Sequence, residues 1–150
     1  MDLSTFVNQY WYVLVIFGII IIGSFVFSVI NKNHMKTSNN NFLAEHPDAA
    51  KVWLSSRVGV TSETMQVFSV NGGKPQAFTK GTKTGVYLLP GQNTVVVNYT
   101  YNRPGVMYRN VSKSTGAVTK ELVVEANKTY LLSFDRKAES FTFEETTPEE

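Results

Sequence analysis

Between Thr64 and Lys120 the chain carries no Asp or Glu, yet it holds seven basic side chains: Lys74, Lys80, Lys83, Arg103, Arg109, Lys113 and Lys120. Uncompensated charge over such a length creates a local positive field, although the whole chain has 14 basic and 12 acidic side chains and a formal net charge of +2. Lys74, Lys80 and Lys83 cluster around one expected hairpin and Arg103, Arg109 and Lys113 around the next, with Tyr99, Tyr101 and Tyr108 interleaved. Such a set attracts acidic partners. In the plainer reading the same lysines are solubilising residues and guards of exposed strand edges.

Other chemistry is poorly supplied. There is no Cys, so thiol catalysis is excluded, and His34 and His46 are the only histidines. Glu45, His46 and Asp48 lie close in sequence, but Pro47 breaks any helical spacing and three ligands in four residues suit a zinc site badly. No glycine-rich loop leads from a strand into a helix, and Gly72-Gly73 reads as hairpin chemistry. The serines have no histidine near them in the later part of the chain. The expectation is a non-enzymatic protein with no catalytic residues, no cofactor and no metal. Nucleic acid is not an expected partner, since the aromatic-basic motif of an RNA-binding sheet is absent.

The elements that must position the basic set begin with an apolar run. Leu3 to Asn31 has no charged side chain, and Trp11 to Ile30 reads WYVLVIFGIIIIGSFVFSVI. Twenty helical residues rise about 30 Å, the hydrocarbon thickness of a bilayer. The run lacks a preceding Lys or Arg and a following A-x-A site, so it reads as a retained single-pass anchor rather than a cleaved signal. Tyr10, Trp11 and Tyr12 suit a headgroup interface. Lys32 and Lys36 follow the run and no basic residue precedes it, which favours a cytoplasmic C-terminal domain; an extracytoplasmic one is the close alternative. An anchor makes anionic lipid headgroups the first candidate partner for the basic set, each residue near the surface contributing about 1 kcal/mol. Another membrane protein is the second.

The remainder divides by composition. Residues 1–10 form an N-terminal segment, 11–30 the transmembrane helix, 31–50 a polar linker containing NKNHMKTSNNN, 51–145 a β domain and 146–150 an acidic tail. Asn93 to Tyr101 (NTVVVNYTY) alternates with the period of two of a half-buried strand. Similar runs are Val52 to Val58, Met65 to Val70, Thr84 to Leu89, Val106 to Ser112, Val118 to Glu125, Lys128 to Phe134 and Ser140 to Glu144. Asn71-Gly72-Gly73, Pro90-Gly91, Arg103-Pro104-Gly105, Thr115-Gly116 and Ala126-Asn127-Lys128 divide them, each a turn-former. The fold class expected is an all-β domain, an antiparallel sandwich or small barrel, preceded by one transmembrane α-helix. Val52, Leu54, Val67, Val86, Leu88, Val95, Val97, Leu122, Val124, Tyr130, Leu132 and Phe134 are its expected core.

Val86 to Val97 reads VYLLPGQNTVVV, and Lys128-Thr129-Tyr130-Leu131-Leu132 follows later. A strand, Pro-Gly and a valine-rich strand resemble the PEGA domain and related carboxypeptidase-regulatory-like small β-sandwiches. The similarity covers about Lys51 to Phe143, with Pro90-Gly91-Gln92-Asn93 in place of the Pro-Glu-Gly-Ala tetrad. It implies a non-catalytic binding or spacer module of bacterial envelope proteins and assigns no site residue. The alternative function is an extracytoplasmic module that binds envelope polymer or carbohydrate, with Trp53, Tyr87, Tyr99 and Tyr101 as stacking residues.

Overall fold

The computed structural model describes residues 3–105 and 110–147. It divides into two compact units, Met1–Ser38 and Asn39–Glu150. The first is helix throughout its described residues and belongs to α1 (Leu3–Glu45). Among the described residues this is the one helix long and apolar enough to cross a membrane, and it lies near the N-terminus. Its large apolar side chains are uncovered: Phe25 and Phe27 are 70% and 71% exposed.

The helix runs further than the apolar stretch, because the segment expected as a polar linker stays helical to Glu45. No Gly or Pro interrupts Ser24 to Glu45. The last turns also gain tertiary support within the second unit. Phe42 and Leu43 pack on the buried group Ala49, Phe78 and Tyr87, and Asn39 Oδ1 accepts a 2.7 Å hydrogen bond from Gln76 Nε2. Pro47 ends the helix, since the residue before proline is disfavoured in the α region. The His46 N–H closes the last turn on the Phe42 carbonyl at 2.8 Å.

Nine strands follow among the described residues: β1 (Ala50–Leu54), β2 (Ser62–Val70), β3 (Gln76–Lys80), β4 (Lys83–Leu88), β5 (Gly91–Pro104), β6 (Asn110–Ser114), β7 (Val118–Val124), β8 (Thr129–Asp135) and β9 (Ser140–Glu145). They make two sheets. The first has the order β3-β4-β1-β8-β9; in the second, β5 pairs with β2 on one side and with β6 and then β7 on the other. The strand expected over Val106 to Ser112 lies partly outside the described residues and is observed as β6.

Among the described residues one pairing departs from an antiparallel arrangement: β1 and β8 are parallel, with Val52 opposite Tyr130 and Leu54 opposite Leu132. Parallel neighbours need a long crossover rather than a hairpin. Here the crossover is the whole chain from β2 to β7.

The long strand β5 is served by two irregular neighbours. The register of β2 shifts between Val67 and Ser69. On the other edge, β6 and β7 continue one another across Thr115-Gly116-Ala117, with Ser114 opposite Thr100 and Val118 opposite Val97. The extra residue is absorbed where Gly116 takes a φ of 70°, the left-handed conformation a bulge requires and glycine adopts without strain. Thr115 repairs the ladder: its Oγ1 accepts from the Tyr99 N–H and its N–H donates to the Tyr99 carbonyl, both at 3.0 Å.

Both sheets contribute to one buried cluster. Val52, Leu54, Val86, Leu88, Tyr130 and Leu132 come from the first sheet and Met65, Val95, Val97, Tyr99, Leu122 and Val124 from the second. Of the expected core, Val67 and Phe134 are only half-buried and pack against the cluster. Asn93, 2% exposed, is its polar pin. Its Nδ2 donates to the Leu89 carbonyl at 2.8 Å and the Gly91 carbonyl at 3.2 Å, and its Oδ1 accepts from Asn71 Nδ2 at 3.0 Å.

Candidate functional site

The parity that buries Val95, Val97 and Tyr99 on β5 continues to Tyr101, which is only half-buried. On β8 the same parity runs Tyr130, Leu132, Phe134 and on to Arg136, just past the strand. On β7 it runs Val124, Leu122, Lys120, Val118. The ends of these rows, Tyr99 and Tyr101, Phe134 and Arg136, Lys120 and Val118, line an open cleft of about 510 Å³, completed by residues that include Lys113 on β6, Phe141 on β9 and Glu139 in the β8–β9 turn.

Aromatic rings form its inner wall. Tyr99 stacks on Phe134 at 4.4 Å between centroids, and Phe134 meets Phe141 edge-on at 4.9 Å. Cations line its margin. Lys120 Nζ lies 5.7 Å from the centre of the Phe141 ring. The Arg136 guanidinium lies 4.5 Å from the centre of the Tyr101 ring, with Nη2 3.5 Å from Glu63 Oε1 on β2. Lys113 Nζ meets Glu139 Oε1 at 2.7 Å. The β8–β9 turn is therefore tied to the second sheet by one ion pair on each side.

The Tyr99 hydroxyl is buried with no hydrogen-bond partner. Burial raises its pKa above the ordinary tyrosine value, and the Glu63 carboxylate close by raises it further by its charge and by drawing the hydroxyl proton toward it, although the two do not reach full hydrogen-bond geometry. It stays a neutral donor across the physiological range. The Lys113 hydrogen bond holds the Glu139 carboxyl below its usual value. Asp135, at the other end of the turn, is lowered by the backbone N–H groups of Lys137 and Ala138, which donate to Oδ1 at 2.7 and 3.2 Å.

The basic positions singled out from sequence are not gathered in one place. Lys113 and Lys120 enter the cleft. Lys80 and Lys83 face one another across the β3–β4 hairpin in the other sheet. Lys83 borders a separate recess of about 550 Å³ with Trp53 and Leu131. Lys74 stands in the β2–β3 connection, Arg103 lies near the end of β5, and Arg109 is outside the described residues. Of the four proposed stacking residues, Tyr87 and Tyr99 are buried, while Trp53 and Tyr101 belong to different recesses. Glu45 and His46 sit at the helix end, where the His46 ring lies 5.0 Å from Phe42. Among the described residues no three His, Asp or Glu side chains converge as a metal site.

Arg136, Glu139 and Glu63 were not foreseen. A signal for Arg136 was present: alternate residues from Tyr130 through Leu132 and Phe134 lead to it. Lys120 carried the same signal, because it shares the parity of Leu122 and Val124. No family model, curated protein or solved structure matches the chain.

Proposed function

We propose that this protein is a non-enzymatic, single-pass membrane protein whose β-sandwich domain serves as a binding module at the membrane surface. The observation that carries the reading is the first unit itself. An uncovered apolar helix of this length is stable in hydrocarbon, where its backbone is satisfied internally, and costly in water. The second unit has its own buried core, as a domain held beside a bilayer requires. The flanking Lys32 and Lys36 favour the cytoplasmic side. The aromatic and cationic cleft supports binding rather than catalysis, because it groups recognition chemistry without a nucleophile–base pair.

Fractionation and proteolysis test this. The chain is expected in the membrane pellet after an alkaline carbonate wash, with the β domain cut by external protease only after cells are opened. Release by carbonate would remove the anchor. Cutting in intact cells would reverse the orientation.

A further inference from the structure

The open cleft has a charge balance that selects its ligand. Three cations border it, but two are already engaged: Lys113 with Glu139 at 2.7 Å and Arg136 with Glu63 at 3.5 Å. Lys120 has no ion pair among the described residues; its ammonium lies over the Phe141 ring. One positive charge is thus left over, and the two carboxylates nearby disfavour a dianion. Tyr99 also lines the cleft; on a residue 4% exposed, its hydroxyl is a buried donor that completes no hydrogen bond, with the Glu63 carboxylate as its nearest acceptor. Such a group normally finds a partner, since leaving it unmade carries the desolvation penalty of the buried polar atom. The wall between these two donors is aromatic, made by Phe134, Phe141 and Tyr101.

From this geometry we infer that the cleft is a binding site for a small monocarboxylic acid with an aromatic or apolar body. The body lies against the Phe134 and Phe141 rings. The carboxylate is held by Lys120, with the Tyr99 hydroxyl as second donor after a small opening of the cleft. The volume is within the range of small-molecule sites, about 300–1,000 Å³. This assignment deepens the binding-module reading and rests on it, but not on the anchor or its orientation.

The test is calorimetric titration of the full chain in zwitterionic nanodiscs with N-acetylphenylalanine. Saturable binding is expected. The corresponding amide, which lacks the carboxylate, is expected to bind at least about tenfold more weakly, the loss of one charge-assisted hydrogen bond. Lys120→Met, which keeps the apolar stem, is expected to weaken the acid by a similar factor, and Tyr99→Phe by several-fold. Lys51→Met, on the outer face of β1, is expected to leave binding unchanged. Thermal unfolding of each variant separates lost binding from lost fold, and the amide comparison needs no substitution at all. Absence of saturable binding at millimolar acid, equal affinity for acid and amide, or unchanged binding in a folded Lys120→Met protein each overturns the site. Tighter binding of phenyl phosphate than of the acid overturns the monoanion assignment, and unchanged affinity in Tyr99→Phe overturns the second donor. Membrane fractionation is unaffected by any of these results, so failure of the site and failure of the anchor are read separately.

Discussion

Gly85 on β4 makes room for an aromatic contact, and filling it should be costly. It stands between Trp53 on β1 and Phe78 on β3, paired with both. Strands two apart are about 9.6 Å from each other, yet the Trp53 and Phe78 rings meet edge-on at 4.8 Å between centroids. They do so across the missing side chain. A Cβ placed on Gly85 would lie 2.5 Å from Phe78 Cζ and 2.6 Å from the Val52 carbonyl oxygen. The ring can swing away, but the Val52 oxygen is backbone in the central part of the sheet. In Gly85→Ala the overpacking should cost about 1–3 kcal/mol, and displacing the ring pair about 0.5–1.5 kcal/mol more. The expected total, about 1.5–4.5 kcal/mol, corresponds to a melting point lower by roughly 6–18 °C for a unit of this size. The assay is urea unfolding of the full chain in detergent, followed by Trp53 fluorescence in a Trp11→Phe background. Stability within about 0.5 kcal/mol of the parent, the range of an ordinary surface change, would refute the claim that Gly85 is the space in which the two rings meet.

Three further outcomes follow from buried or paired polar groups. Asn93→Ala should lose about 1–3 kcal/mol in chemical denaturation, because the Leu89 carbonyl and the Asn71 amide are left without their partner. Tyr99→Phe should leave unliganded stability unchanged or raise it by up to about 1–3 kcal/mol, because it removes an unpaired buried hydroxyl; a clear loss by the same measurement would mean that the hydroxyl has a partner. The lowered pKa of Asp135 means that its contribution to stability is present above the ordinary carboxylate value of 3.8 and is lost as pH falls through the lower folded-state value. The stability gap between the parent and Asp135→Ala should therefore be constant at neutral pH and close only in acid, as read from urea midpoints across pH.

Alternation made most strands legible. Val95, Val97, Leu122, Val124 and Leu132 could be placed inward from parity alone, and they are buried. The strand β3 was missed because QAFTK has one large apolar residue, Phe78, which packs on the outer face of the first sheet with Tyr87. The helical extension to Glu45 was hidden for a related reason: Asn39, Phe42 and Leu43 owe their conformation partly to partners distant in sequence. The parallel pairing of β1 with β8 is equally non-local, since neither strand's pattern reveals its neighbour. For the cleft, the sequence pointed to Lys113 and Lys120 through the missing acidic residues. It could not show that Glu139 and Glu63 return from outside the acid-free stretch to engage two of the three cations.

The parallel pairing of β1 with β8 also orders the protein's birth. β1 is made immediately after the helix, but its neighbours are β4 and β8. The β1–β4 pair and the whole second sheet can form from chain already synthesised while β8 is still being made. At about 5–20 residues per second, the interval from Leu54 to Thr129 takes roughly 4–15 s to translate. Through that interval β1 has at least one ladder edge unpaired: both until β4 is made, and then the one facing the gap that β8 will fill. A nascent chain stalled before Thr129 therefore presents a sticky half-sheet, and chaperone capture should end abruptly once β8 emerges.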